Sequence, residues 1–355
     1  MTELNKSTDI LVIGGGQAGL AMGYFLQLKG CRFQILERNR RIGDSWRRRY
    51  DSLKLFTSRE FSSLPGLTLP GDKKGFASKD EIAGYLEEYA SHVGLPVVCG
   101  TGVKSLQRVG DGFRSKTENG FEITSRAVII ATGAFQIPSI PALAKDLAPS
   151  VSQFSPDTYQ NPSQIQIGTV LVVGDGATGR QIALELSSTH RVILASGRMR
   201  SVSPVFILGK SNFWWMEKLG LSRTPYTSPL GRWFMKRDPF PGLHLTLFNL
   251  RRRGIRAVKR LTGVEGSTVT FANGVTADVT SVIWATGYHD DSTWVSIPEV
   301  KGPKGNYIER RGLTAVPNLY FIGRSWQWTR GSALLFGVAR DAEYLMPSIL
   351  AGLET

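Results

Sequence analysis

The stretch Asp9-Ile10-Leu11-Val12-Ile13-Gly14-Gly15-Gly16-Gln17-Ala18-Gly19 decides the fold. Four consecutive apolar residues suit a parallel strand covered on both faces, and Gly14, Gly16 and Gly19 fall on the G-x-G-x-x-G spacing that opens a helix. Gly14 permits the tight turn, Gly16 lets a pyrophosphate approach the backbone, and Gly19 lets the new helix pack on the strand. The phosphates then sit on the helix N-terminus. A second strand, Arg32-Phe33-Gln34-Ile35-Leu36, ends at Glu37, eighteen residues after Gly19, where a carboxylate is placed to hydrogen-bond a ribose 2′-hydroxyl.

The pattern returns at Thr169-Val170-Leu171-Val172-Val173, followed by Gly174, Gly176 and Gly179 on the same spacing, with Thr178 inside it and a helix expected over 180–187. The next strand, Arg191-Val192-Ile193-Leu194-Ala195, ends at Ser196-Gly197-Arg198 and not at an acid. A hydroxyl and a guanidinium bind the 2′-phosphate that a carboxylate repels, so this half suits NADPH better than NADH, with NADH left open. Two further buried strands run into the same tripeptide, Ala131-Thr132-Gly133 and Ala285-Thr286-Gly287, whose small residues let backbone come close to a bound cofactor. The expectation is an α/β protein of two Rossmann-like three-layer nucleotide-binding domains, FAD in the first and a nicotinamide donor in the second.

Between these landmarks, alternation over 50–58 predicts a short strand or an extended stretch, and apolar residues spaced three or four apart from Lys79 predict a helix ending at Gly94. Short strands around 97–98, 102–103, 112–114 and 121–123, with a turn at Asn119-Gly120, predict a small antiparallel sheet. Strand character resumes at 254–258, Ala272-Asn273-Gly274 reads as a hairpin turn, a buried strand covers 318–323, and a helix is expected from about Ser332 to Leu350. Residues 199–250 depart from this pattern. They are rich in aromatic residues and broken by prolines, which fits a cover over a substrate opening, an oligomer contact, a membrane-contacting patch or the core of an insertion.

A chain of 355 residues accommodates two domains. Forty-three Lys and Arg against twenty-nine Asp and Glu give a net charge of +14, scattered enough to read as solvated surface and attraction for cofactor phosphates, or a weak membrane-surface contact, with no nucleic acid expected. Cys31 and Cys99 are far apart and form no C-x-x-C, and the four histidines have no ligand spacing, so neither a redox dithiol nor a metal site is expected. No apolar run approaches eighteen residues and the first eight residues are polar, from which a cytoplasmic protein without a transmembrane segment is expected; a homodimer is left open.

Taken together, residues 13–20, 37–46, 50–66, 174–179 and 318–337 and the two Ala-Thr-Gly endings resemble the class B flavoprotein monooxygenases. The likeness is to the small bacterial flavin-containing monooxygenases and the CzcO-like group, and more distantly to YUCCA-type enzymes. It implies a glutathione-reductase-like arrangement in which a discontinuous FAD domain, 1–162 and 288–355, is interrupted by an NADPH domain, 163–287, carrying the insertion 199–250. It also implies that NADPH reduces FAD, that oxygen adds at flavin C4a, and that a small nucleophile such as a sulfide or amine, or a ketone, takes an oxygen atom. Carried over by position, FAD is held by Gly14, Gly16, Gln17, Ala18, Gly19, Glu37, Arg38, Trp46, Thr57, Val103, Ala131, Thr132, Gly133, Gly323, Gln327, Thr329 and Leu334. NADPH is held by Gly174, Gly176, Thr178, Gly179, Ser196, Arg198, Ala285, Thr286 and Gly287, and Phe56, Thr57 and Gln327 stand at the reacting centre.

Two departures from the family pattern stand out. The stretch F-x-G-x-x-x-H-x-x-x-Y/F ends here at Tyr159 but has Pro149 and Ser155 in the phenylalanine and histidine positions, and Leu55-Phe56-Thr57 lacks the asparagine found near the flavin in animal-type members. They leave open a flavin reductase or oxidase that releases hydrogen peroxide; the basic charge and the aromatic stretch leave open a membrane-associated accessory flavoprotein.

Overall fold

The computed structural model describes residues 4–198 and 200–354; the first position of the 199–250 stretch lies outside them. Strand β1 (Ser7–Ile13) passes through the first glycine turn into helix α1 (Gln17–Leu28) and returns along β2 (Phe33–Leu36). Helix α2 (Lys79–Val93) begins at a capping box in which Ser78 and Glu81 exchange hydrogen bonds, and stops at Gly94 with φ 73°. There follow β3 (Val97–Val98), β4 (Val103–Val109), β5 (Gly112–Thr117) and β6 (Glu122–Ile130), in the sheet order β3-β2-β1-β6-β5-β4. The segments 121–123 and 127–130, expected as two strands, form one. The first half of β6 pairs antiparallel with β5 (Phe113 opposite Ser125), and its length pairs parallel with β1 (Val12 opposite Ile129).

Alternation along β1 explains the unbroken apolar run. Ile10 and Val12 face a core shared with the helices, while Leu11 and Ile13 face a second core that includes Phe113, Val295 and Phe321.

The second unit repeats this construction. Strands β7 (Ser152–Phe154) and β8 (Thr169–Val173), helix α3 (Ala177–Leu186) and strand β9 (Arg191–Ser196) precede the cover helices α4 (Asn212–Lys218), α5 (Pro229–Arg237) and α6 (Leu247–Arg252). Strand β10 (Arg256–Lys259), the meander β11 (Leu261–Glu265), β12 (Thr268–Phe271) and β13 (Thr276–Asp278), and β14 (Ser281–Trp284) complete it, with the parallel order β10-β9-β8-β14-β7. The chain then returns: β15 (Leu319–Phe321) pairs parallel with β6, and α7 (Leu335–Glu354) packs on α1.

Three expectations change. Residues 50–58 make only an isolated bridge, Lys54 to Ser78, because Leu55 packs against the first unit's core and Leu53 against the second's; the alternation marks a segment passing between two cores. Strand β7, expected in the first unit, adds to the second sheet through β14 (Val282 opposite Gln153). The last helix starts at Leu335, since Thr329 and Ser332 close a turn in front of it, Ser332 Oγ accepting from the Trp328 and Thr329 amides at 3.1 and 3.0 Å.

The cover is seated on the first unit. Tyr226 N–H donates to the Trp328 carbonyl at 2.8 Å, Arg340 Nη2 donates to Glu217 at 2.7 Å, and Phe213 packs on Phe56, Phe61 and Phe336. Among the described residues no helix is long and apolar enough to cross a membrane.

Candidate active site

The two glycine turns match position for position. Gly14 holds φ +113° and a Cβ there would lie 2.5 Å from the Ala131 carbonyl oxygen; Gly174 holds φ +124° and its Cβ would lie 2.0 Å from that of Ala285. A Cβ at Gly19 would strike the Gly14 carbonyl at 1.9 Å, and one at Gly179 the Gly174 carbonyl at 2.1 Å. Both turns are therefore fixed by contact with the Ala-Thr-Gly end of the adjacent strand. At Gly16 and Gly176, by contrast, nothing lies within 4 Å of an added Cβ, and neither residue supplies a side-chain cap to the helix it opens. Open space in front of uncapped helix N–H groups is the form a pyrophosphate requires.

The units differ at the ends of their second strands. Glu37 Oε2 accepts from Gly15 N–H at 2.7 Å, and Oε1 accepts from the backbone and side-chain amides of Asn39 at 2.9 and 2.6 Å. This carboxylate is locked beside the first turn, with its remaining lone pairs available to a ribose hydroxyl. At the equivalent end of β9, Ser196 Oγ is buried and has no hydrogen-bond partner among the described residues. Arg198 is exposed, and Arg260 crosses the strand end with Nε 3.4 Å from where a Cβ on Gly197 would stand. An orphaned hydroxyl at the strand end, with the guanidinium groups of Arg198 and Arg260 lining the cavity at the next turn, fits a 2′-phosphate, and the Glu37 site fits an unphosphorylated ribose.

A cavity of about 1320 Å³ connects the units. Gly174, Gly176, Thr178, Arg198 and Arg260 line the end belonging to the second unit, and Phe56, Trp326, Ala333 and Leu334 line the end belonging to the first. The Gln17 side chain donates to the Ala333 carbonyl at 3.1 Å, and Gly323, at φ +83°, lets the strand end approach Ala18, which a Cβ would meet at 2.5 Å. The first glycine turn and the 323–334 loop are thereby held together.

Of the residues expected at the reacting centre, Phe56 lines the cavity, while Thr57 is buried behind it with Oγ1 2.7 Å from Ser62 Oγ. Gln327 is committed to its own loop. Its Nε2 donates to the Phe321 carbonyl at 2.7 Å and its Oε1 accepts from the Arg324 amide at 3.2 Å, so it braces the turn and has no free end for a substrate. Thr329 lies on the far side of the turn, its hydroxyl accepting from Gly331 N–H at 3.1 Å. Arg38 points outward to Glu118 at 3.0 Å, Trp46 packs at the edge of the first core, and Val103 is buried beneath the sheet. Thr132 Oγ1 and the Gly133 carbonyl both accept from Gln136 at 2.9 and 2.8 Å, and Thr286 donates to the Ser139 carbonyl; both Ala-Thr-Gly endings are thus tied to the crossing segment 136–139.

A buried ion pair was missed. Arg180 Nε and Nη2 donate to the two Asp175 carboxylate oxygens at 2.6 and 2.8 Å, and Nη1 donates to the Leu245 carbonyl at 2.8 Å, so one side chain binds the second glycine turn to the cover. An acid inside a glycine turn with an arginine five residues on was its signal. Beside it, Arg330 bonds to the Pro239 carbonyl, and burial, then the charge of Arg200, lowers its pKa to about 10. Arg260 arrives from the junction between β10 and β11, more than sixty residues beyond Ser196, and no spacing rule reaches it.

Residues 11–203 match the family described as pyridine nucleotide-disulphide oxidoreductase. The chain is 47% identical over 344 residues to an uncharacterised CzcO-like oxidoreductase of Geobacillus kaustophilus, covering 96% of this chain and 98% of that one. It is 26% identical to the indole-3-pyruvate monooxygenase YUCCA1 of Oryza sativa subsp. japonica, covering 90% of this chain and 84% of that protein. The structure of a flavin-containing monooxygenase from Stenotrophomonas maltophilia superposes with a TM-score of 0.82 at 26% identity, covering 98% of this chain and 99% of that one. Cys31 and Cys99 are both free, so the disulphide in the family's name has no counterpart in a paired thiol here. With the duplicated glycine turns and the cavity that runs from the second of them to the first unit, these likenesses show that the chain belongs to the pyridine nucleotide-disulphide oxidoreductase family and, within it, to the class B flavin monooxygenases, enzymes that use FAD and NADPH.

Proposed function

We propose that the chain transfers one oxygen atom from dioxygen to a small nucleophile, a sulfide or amine, or to a ketone, at the expense of NADPH. FAD is assigned to the unit formed by 1–162 and 288–355, less strand β7, and NADPH to 163–287. The observation that carries this reading is the cavity, which runs from the second glycine turn to the Phe56 and Leu334 walls of the first unit without a break.

When bound, the flavin accepts a hydride from the nicotinamide and supplies the activation of dioxygen. The chain's part is placement and exclusion. Gly16 and Gly176 give phosphates access to helix N-termini, Glu37 receives a ribose hydroxyl, and Ser196, Arg198 and Arg260 receive the 2′-phosphate. Phe56, which lines the first-unit end of the cavity, is backed by Phe213, stacked on it at 6.4 Å and itself edge-on to Phe336 at 5.3 Å, and this apolar wall keeps water from the reacting atoms. No side chain with a titratable group is required beside the substrate.

The test is the fate of NADPH electrons in the FAD-loaded protein. Incubation in air with a panel of thioethers, tertiary amines and cyclic ketones should yield an oxygenated product from at least one, with less peroxide per NADPH than in its absence. Peroxide equal to NADPH consumed with every compound would replace this reading by a peroxide-releasing oxidase.

A further inference from the structure

Behind the turn that closes the active site lies a second cavity of about 400 Å³, outside the nucleotide-binding machinery and lined by Arg311, Trp328, Arg340, Asp341 and Tyr344 among others. Its volume is in the range of small-molecule sites. Arg311 sits in a tight turn between Arg310 and Leu313, which exchange hydrogen bonds at 2.9 and 3.1 Å, with φ 51° at Arg311 and 84° at Gly312. Two consecutive positive φ values suit Asn, Asp or Gly, so an arginine stands here against local preference.

Its guanidinium is held flat. The central carbon lies 3.7 Å from the Tyr344 ring centre and 5.0 Å from that of Trp328. Yet its hydrogen-bonding capacity is unfilled. The nearest carboxylate, Asp341, is 3.7 Å from Nε, too far for a hydrogen bond, and Arg311 Nε and Asp341 Oδ2 are both buried without a partner among the described residues. Burial pushes the Asp341 carboxyl up, against the hydrogen bond from Ser332 and the charge of Arg311. The other guanidinium groups of the pocket are already engaged: Arg340 and Arg223 share the one carboxylate of Glu217, at 2.7 and 3.3 Å, and the exposed Glu343 stands at the rim. Arg311 therefore remains as an immobilised, pre-oriented fork whose Nη1 and Nη2 have no acceptor among the described residues. That fork matches one carboxylate.

We propose that this pocket binds a small monocarboxylic acid with an apolar body, its carboxylate bidentate on Nη1 and Nη2 of Arg311 and its body against Trp328. Trp328 and Thr329 belong to the same turn as Ala333 and Leu334, so the site backs on the larger cavity without sharing its residues.

The proposal is independent of the substrate assignment and is tested by calorimetric titration of the FAD-loaded protein, saturated with NADP⁺, using phenylacetate, acetate and neutral phenylacetamide. One phenylacetate per chain should bind, at least about tenfold more tightly than the amide. Arg311→Asn, chosen because asparagine accepts a positive φ, and Arg311→Lys, which keeps charge but loses the fork, should each weaken phenylacetate at least about tenfold and leave flavin content and the KM for NADPH unchanged. Equal affinity for acid and amide, unaltered phenylacetate binding in Arg311→Asn, or no acid binding at millimolar concentration would each overturn it.

Discussion

Gly174 and Ala285 stand so close that a Cβ at position 174 would lie 2.0 Å from the Ala285 carbonyl oxygen, the counterpart of the 2.5 Å relationship between Gly14 and Ala131. Each glycine turn is clamped by the strand that closes its own unit. Gly174→Ala must therefore displace backbone at the second turn and leave the first intact, so the purified protein should keep its flavin while kcat/KM for NADPH falls about 10²-fold. Gly14→Ala should instead emerge without flavin. Gly176→Ala is the sharper variant, because nothing lies within 4 Å of the new methyl: thermal stability without nucleotide should be unchanged while the KM for NADPH rises at least about tenfold.

Arg180 and Asp175 are buried and paired through two hydrogen bonds, at 2.6 and 2.8 Å. Removing one partner strands the other charge, so Arg180→Met should cost about 3–5 kcal/mol in urea unfolding, whereas Asp175→Leu with Arg180→Met should recover most of that loss. The double variant should still have a weakened cover, since the Leu245 carbonyl loses its donor.

Phe213 is buried at the centre of a ring cluster with Phe56, Phe61 and Phe336. Phe213→Ala should destabilise the protein by about 3–5 kcal/mol. Because Phe56, which lines the cavity, rests on this cluster, the peroxide released per NADPH should also rise. A stability loss with unchanged peroxide yield would assign the cluster to packing alone.

Burial alone would raise the Glu217 carboxyl, but hydrogen bonds from Arg340 and Ser222, then the charge of Arg340, bring it from 4.5 down to about 2. A pKa lowered on folding gives stability that is complete above the unfolded value and lost as pH falls through the folded one, so the cover should loosen between about pH 4.5 and 2. Equilibrium unfolding across that window should show the loss in the wild type and a shallower slope in Glu217→Gln.

The parts read most easily from sequence are those fixed by local sterics. Gly14, Gly19, Gly174 and Gly179 admit no side chain, and the strands before them are apolar because both faces are covered, so spacing and composition were sufficient. The contrast between Glu37 and Ser196 was equally local. What escaped was set by distant chain: Arg260 reaches Gly197 from the junction of β10 and β11, β7 joins the second sheet through β14, and Leu53 and Leu55 alternate because they serve different cores. Gln327 fell on a family position, but the bonds that occupy its amide come from the fold of its own loop. In 199–250 the aromatic residues divide between Phe213, buried against the first unit, and Trp233 and Phe248, exposed, a partition that short helices do not reveal in their spacing.

The most direct test of the division between the two nucleotide sites is anaerobic titration of the FAD-loaded protein with NADPH and with NADH, followed at the visible flavin band. The orphaned Ser196 hydroxyl and the guanidinium groups of Arg198 and Arg260 predict bleaching by NADPH at lower concentration than by NADH, with Ser196→Ala narrowing the difference and Gly176→Ala raising the concentration required. A flavin that stays oxidised under both donors, or that NADH reduces as readily as NADPH, would contradict the assignment.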